Sequence, residues 1–258
     1  MPRLDLPSVT LCAATSVNVE ATLAAIETST NQVRFGDVVL FTDALLPRPT
    51  GETRLVQIGR LRSSADYSDF LLTRLVDHVR TDHCLIVQWD GFVLDADQWD
   101  RAFLDYDYIG ARWPQFDDGQ DIGNGGFSLR SRRLLEACRS PEFVRSPPED
   151  VAICRVNRAL LEQRFGIRFA DRATAARFSF ERSRDRAETF GFHGIFNMIP
   201  LLGPERFWEI YRSLDDRSTV FLDYRLIMRQ LGSGSGELRK RSQLILDRLK
   251  RSLGLGEA

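Results

Sequence analysis

Through the first half of the chain, short apolar runs alternate with stretches whose apolar residues recur at helical spacing. That alternation predicts βα units feeding a mostly parallel sheet. Ser8 to Thr15 reads as a buried strand, and Asn18 to Thr28 as a helix with Asn18 placed to cap it. Asp37 to Asp43 and Arg54 to Ile58 read as two more strands. Phe70, Leu71, Leu75 and Val79 mark a helix between Ser64 and Val79, and His83 to Gln88 is a continuous apolar strand running into Trp89, Asp90 and Gly91. Strands are expected at Tyr106 to Trp113 and Gly125 to Leu129, helices at Ser131 to Cys138 and Glu149 to Phe165, and edge strands at Ile167 to Ala170 and Arg177 to Phe180. Phe190 to Gly194 reads as an aromatic, glycine-bracketed turn. Amphipathic helices near Pro204 to Ser213 and Ser218 to Leu231 precede a Gly/Ser segment with the composition of a flexible linker.

The fold class is therefore α/β, a single Rossmann-like domain with a mostly parallel mixed sheet over residues 1–231. The linker covers 232–236, and a basic amphipathic tail helix covers 237–258. At 258 residues, with 43% hydrophobic and 28% charged side chains, the composition excludes a wholly disordered or membrane-embedded chain. A net charge of -1 excludes a globally basic nucleic-acid binder, and no nucleic acid is expected as a partner. Cys12, Cys84, Cys138 and Cys154 show no CxxC spacing and read as reduced core thiols. Met1 to Pro7 lacks the layout of a secretory signal, and no window reaches the roughly 20 apolar residues needed to cross a bilayer. The expectation is a cytoplasmic protein. In residues 237–253 six Lys or Arg accompany two acidic residues and an apolar stripe, which suits either peripheral contact with a membrane or packing on protein.

Ligands of open α/β sheets bind beyond the carboxyl ends of the strands, so acids that terminate apolar strands come first. Asp43 and Asp90 qualify. A carboxylate at Asp90 can hold a hard divalent cation that bridges two phosphates, or can be a turn residue. Gly123, Asn124, Gly125 and Gly126 allow close backbone approach to a flat substrate, with an amide at Asn124, although such loops also serve as plain turns. Glu149 and Asp150 follow two prolines at a helix start, where either can be a general base or simply complement the helix dipole. His193, between aromatic and glycine residues, fits a metal ligand or a core histidine.

In order, LIVQWDGFVL, FLDYDYIGA, GNGGFSLRSR, EDV and FGFHG resemble a bacterial and eukaryotic family catalogued as a domain of unknown function and placed near glycosyltransferases of the A-type fold. The resemblance covers roughly Ser64 to Asn197. It implies a metal-assisted glycosyltransferase of that fold, using a nucleotide-diphosphate sugar and a hydroxyl of a glycan or lipid-linked acceptor, with Mn2+ or Mg2+ as cofactor. Asp90 stands where such enzymes keep the last acid of an Asp-x-Asp motif, and Gln88 stands where the first would be, a departure from the pattern. His193 looks like their C-terminal histidine ligand. Asn124, Gly125 and Gly126 would line donor sugar and acceptor, with Gln88 and Trp89 on the donor side. Asp150 or Glu149 would be the base of an inverting enzyme. Thr15 and Asp43 match positions that meet the nucleotide, and Tyr67 and Ser68 would reach the diphosphate, unless they only cap and pack their helix. A carbohydrate-binding protein on a transferase scaffold is the second reading, favoured by Gln88. A sugar nucleotidyltransferase is the third, but residues 15–18 lack the glycine-rich triphosphate loop it needs.

Overall fold

The computed structural model describes residues 3–46, 51–182, 188–232 and 235–254. The elements in chain order are β1 (Leu4–Ala14), α1 (Val19–Gln32), β2 (Val33–Thr42), β3 (Thr53–Gln57), α2 (Ser64–Thr73), β4 (His83–Ile86), β5 (Tyr108–Ile109), β6 (Ser128–Ser131) and α3 (Arg132–Ala137). There follow α4 (Glu149–Val151), a π-helical turn at Ala152–Val156, α5 (Arg158–Phe165), α6 (Arg172–Phe178), β7 (Ser179–Phe180), β8 (Gly191–Phe192), α7 (Ile195–Ser213), α8 (Ser218–Leu222), α9 (Tyr224–Gln230) and α10 (Ser235–Ser252).

Six strands form one sheet in the order β3-β2-β1-β4-β6-β5, with β6 antiparallel to both of its neighbours and the rest parallel. The mostly parallel mixed sheet is thus as expected. Its inner strands are apolar on both faces, with Leu11, Val39, Phe41, Cys84 and Ile86 all buried, as parallel strands covered on two sides must be. All four cysteines are buried free thiols. The chain winds from β1 out to β3 and then returns to place β4 on the other side of β1, so the strand order reverses between β1 and β4. In such sheets the crevice for a ligand opens beyond the carboxyl ends at that point.

Several expected elements differ. Tyr106 to Trp113 pairs as a strand only at β5, and Ile167 to Ala170 contributes a single bridge from Phe169 to Tyr108. Arg177 lies in α6 rather than in a strand, because Asp171 accepts from the Thr174 N–H and caps a helix there. The expected turn at Phe190 to Gly194 contains β8, paired with β7. The long helix from Glu149 breaks into α4, the π turn and α5, with Asn157 bonding the Ala152 carbonyl through its side chain at 2.9 Å. Asn18 precedes α1 directly. Its φ is 54°, and its amide donates to the Asp216 carbonyl at 2.7 Å and accepts from the Asp216 N–H at 2.8 Å.

The chain divides into two compact units, residues 1–16 with 22–193 and residues 17–21 with 194–258. This division falls at His193/Gly194, whereas the sequence suggested a boundary at 232–236. Ser235 already belongs to α10, and Ser233 and Gly234 lie outside the described residues, as do residues 255–258. The tail helix is part of the second unit. Leu244 and Asp247 are buried there, and the Tyr211 hydroxyl donates to Asp247 at 2.7 Å. No helix among the described residues is long and apolar enough to cross a membrane.

Candidate active site

β4 ends in a tight turn in which the Gln88 and Gly91 backbones exchange hydrogen bonds of 2.9 and 3.0 Å, leaving Trp89 and Asp90 at the corner. The strand is anchored by its apolar side chains, so the turn projects beyond the carboxyl edge of the sheet next to β1. Asp90 is buried, and its Oδ1 lies 3.7 Å from His193 Nε2.

His193 is brought to this turn from the far end of the first unit by β8, whose pairing with β7 continues in a bond from the His193 N–H to the Phe180 carbonyl. Two glycines make room for the ring. A Cβ on Gly126 would lie 2.1 Å from Nε2, and one on Gly91 would lie 2.7 Å from Cδ2. These glycines therefore accommodate the protein's own imidazole, a packing demand that the sequence did not disclose. Four polar groups surround the ring. Gln88 Oε1 is 3.2 Å from Nε2 and Asn124 Nδ2 is 3.1 Å from Nδ1, while Glu181 Oε1 stands 3.5 Å from Nδ1. Burial disfavours charge on His193, but Asp90, Glu181 and Asp150 outweigh it and hold its pKa above the ordinary 6.5.

Asn124 has φ of 66°, a left-handed conformation that asparagine tolerates better than most residues, and its Oδ1 accepts from the Gly126 N–H at 3.2 Å. The loop it shapes presents the Gly125 N–H to Asp150 Oδ2 at 2.9 Å. Asp150 Oδ1 accepts from the Val151 N–H at 2.8 Å. Its neighbour Glu149 points elsewhere. Glu149 Oε1 meets Arg130 Nη2 at 2.9 Å with both side chains buried, and a Cβ on Gly125 would come within 2.2 Å of the same oxygen. The two adjacent carboxylates thus have separate environments. Glu149 is committed to a buried ion pair, and half-buried Asp150 has its pKa raised by burial and by the charge of Glu149.

These groups line a cavity of about 240 Å³. Of the residues expected from sequence, Tyr67, Ser68, Gln88, Asn124, Gly125, Gly126, Glu149, Asp150 and His193 all border it, and Asp90 stands behind His193. Tyr67 accepts from Gln88 Nε2 at 2.9 Å, and burial raises its pKa. Ser68 Oγ accepts from the Glu149 N–H at 3.1 Å, satisfying a donor at the start of α4. Thr15, Asp43 and Trp89 do not border the cavity. Thr15 and Asp43 follow β1 and β2 on the same edge of the sheet, and their backbones are bonded to Phe41 and Gln57. Sequence reasoning missed Glu181 and Trp113, both of which line the cavity. Glu181 directly follows β7, so the rule that singled out Asp90, an acid ending an apolar strand, would have found it. Trp113 packs its indole against Gly123, where a Cβ would lie 2.2 Å away.

Asp90 and His193 supply one carboxylate and one imidazole at a separation that a single divalent cation can span, with the Gln88 amide oxygen beside them. Oxygen-rich sets with one imidazole suit Mn2+, whose remaining positions substrate phosphates and water can fill. Among the described residues no group of three or more His, Cys, Asp or Glu is disposed to hold a metal ion.

No curated protein matches the chain in sequence. Among solved structures, it is similar to a mannosyltransferase from Pyrobaculum calidifontis described in complex with GDP-Man and Mn2+, with 15% identity and a TM-score of 0.42. That match covers 66% of this chain and 58% of that one, so the chain spans less than two thirds of that enzyme's length. It is also similar, at 11% identity and a TM-score of 0.42, to a glycosyltransferase involved in glycosylation of the major capsid of PBCV-1, over 80% of this chain and 100% of that one. A family model matches residues 51–193, more than half of the chain and the whole stretch from β3 to His193, and the chain belongs to that family, described as "Protein of unknown function (DUF5672)".

Proposed function

We propose that the protein is a metal-assisted glycosyltransferase of the A-type fold that moves a sugar from a nucleotide-diphosphate donor to an acceptor hydroxyl. The observation that carries this reading is the division of labour between the two adjacent carboxylates. Glu149 is neutralised by Arg130, while Asp150 faces the cavity with a raised pKa, near enough to His193 to influence the titration of the imidazole.

Asp150 is the general base. The N–H groups of Gly125 and Val151 fix its orientation, and its raised pKa makes it a stronger proton acceptor than an exposed aspartate. Asp90 and His193 would hold the cation, with Gln88 as an added oxygen donor. When bound, that ion would offset charge on the leaving diphosphate. Glu181 positions His193, its carboxylate standing 3.5 Å from Nδ1 and offsetting charge on the imidazole. Trp113 and Tyr67 offer apolar and hydroxyl faces to a sugar. Thr15 and Asp43, beside the strand-order reversal, would meet the nucleotide, and Trp89 would flank it.

The first test is thermal stability with UDP, GDP, CDP and dTDP, each with and without Mn2+ or Mg2+. GDP-mannose is the first intact donor to try. A ligand at about 100 times its Kd adds roughly 2.7 kcal/mol to stability. One nucleotide should stabilise the protein only with metal, and Asp90→Ala should abolish that response. A metal-independent response would remove Asp90 and His193 from the role given them. With donor and acceptor in hand, Asp150→Asn should lower turnover about 10² to 10⁴-fold without weakening donor binding. Glu149→Gln should act on folding instead. A second reading, a nucleotide-sugar binding protein without turnover, is favoured by Gln88 in place of an acid and by the two-ligand cation site; donor binding with no transfer to any acceptor would establish it.

A further inference from the structure

α10 presents two opposite faces. Lys240, Leu244 and Asp247 are buried against the rest of the second unit, and Lys240 is paired with Glu205 and with Glu237, the latter at 3.3 Å. By contrast Leu238, Ile245, Leu246, Leu249 and Leu253 are 40–69% exposed. At about 100° of rotation per residue, Leu238, Ile245 and Leu249 fall within about 40° of one another and lie opposite the buried face, and Leu246 and Leu253 widen the stripe to about 100°. The packing of the unit leaves this stripe uncovered.

Charge is arranged around it with one sign. Arg241, which bonds the Gly232 carbonyl at 2.9 Å, and Arg248, whose guanidinium lies 4.3 Å over the Tyr224 ring, border the stripe on one side, and the exposed Arg239 and Lys250 on the other. Both acidic residues of the helix face inward, Glu237 toward Lys240 and Asp247 toward Tyr211 and Gln243. A solvated helix face would ordinarily mix signs, and a helix packing on protein would ordinarily keep its leucines beneath it. Two copies of α10 laid stripe to stripe would bring basic rows against basic rows in either orientation, which opposes self-association. An apolar strip flanked on both sides by Arg and Lys is complementary to a bilayer interface that carries anionic headgroups.

We propose that the exposed face of α10 docks on an anionic lipid surface, with the leucine stripe in the headgroup region and the four flanking cations on lipid phosphates and carboxylates. Docking there would hold the first unit's chemistry at a membrane surface. The proposal stands on α10 alone and does not depend on the identity of the reaction.

Its test is co-sedimentation of the full chain with vesicles of phosphatidylcholine alone or of equal parts phosphatidylcholine and phosphatidylserine. Because α10 packs on its own unit, deleting it would compromise the fold, so surface variants are the appropriate probe. The wild type should pellet with the anionic vesicles only, and less as salt rises. The double variant Ile245→Gln/Leu249→Gln should lose binding. Each cation near an anionic surface favours binding roughly fivefold, so Arg239→Gln/Lys250→Gln should weaken it on the order of twentyfold. Unchanged melting temperatures would show that both variants are folded. Failure of the wild type to pellet, or pelleting that neither variant reduces, would overturn the proposal. So would a dimer in light scattering that Ile245→Gln/Leu249→Gln dissociates, since the stripe would then be a self-interface. None of these readouts needs donor or acceptor, so their failure and the failure of the transferase reading are separately visible.

Discussion

On the β1 side of β4 the sheet is held mainly by apolar side chains, Leu11, Val39, Phe41 and Ile86 among them, with neutral hydroxyls such as Thr10 and Thr42 as the buried polar groups of β1 and β2. On the β6 side charged groups are built into the interior. Arg130 bonds Glu149, Asp107 accepts from Ser131 at 2.6 Å and from the Arg168 N–H at 2.8 Å, and Asp121 binds Arg112 and Arg172. Apolar packing is non-directional and tolerates swaps of similar volume. Buried ion pairs are directional and punish the loss of one member. A site that must keep a carboxylate and an imidazole at fixed positions needs the second kind of interior, and it lies where that interior begins.

The contrast can be broken most severely at Arg130. Arg130→Met leaves the Glu149 carboxylate buried and unpaired and should cost about 3 to 5 kcal/mol in urea unfolding, most of which Arg130→Met/Glu149→Leu should recover. On the dry side Leu11→Ala should cost about 2 to 5 kcal/mol with no such partner able to rescue it. Gly126→Ala, whose new methyl collides with His193, should cost about 1 to 3 kcal/mol and remove the metal-dependent nucleotide response. A smaller effect tracks pH. The raised pKa of His193 means that its protonated form contributes stability, fully present below 6.5 and lost as pH rises through the higher folded value. Wild-type melting temperature should therefore fall more steeply across that window than that of His193→Asn. Smallest of all, Arg34→Ala, which breaks an exposed pair with Asp5, should leave the unfolding midpoint unchanged within the error of the measurement.

Hydrophobic patterning made β3 and β4 legible to within two residues and located β2 and the helix at Ser64, although β2 begins earlier, at Val33, and α2 ends at Thr73 rather than Val79. The segments after β4 were harder. Tyr106 to Trp113 has a strand's composition but spends its backbone bonds on Arg168, Asp121 and Gly123 as well as on β6, so only two residues pair regularly. Of the site, Asp90 stood out as an acid ending an apolar strand, whereas the glycine loop and His193 were ambiguous in the local pattern and were placed in the site by the family resemblance. The split between Glu149 and Asp150 was not, since it depends on Arg130, which nothing in the local pattern ties to residue 149. The purpose of Gly126 was hidden for the same reason, because the ring it accommodates lies 67 positions further along.

Gln88 and His193 meet across 105 residues of chain. A ribosome adding about 5 to 20 residues per second finishes β4 roughly 5 to 20 s before it makes the imidazole that completes the site. During that interval the sheet's parallel strands are already available to fold, while Asp90 and the Gly126 hollow have no histidine to receive. The cluster around His193 is thus completed late in the life of the nascent chain, when the last residue of the first unit has been made, and a chain that stalls before residue 193 would have most of the sheet without that cluster.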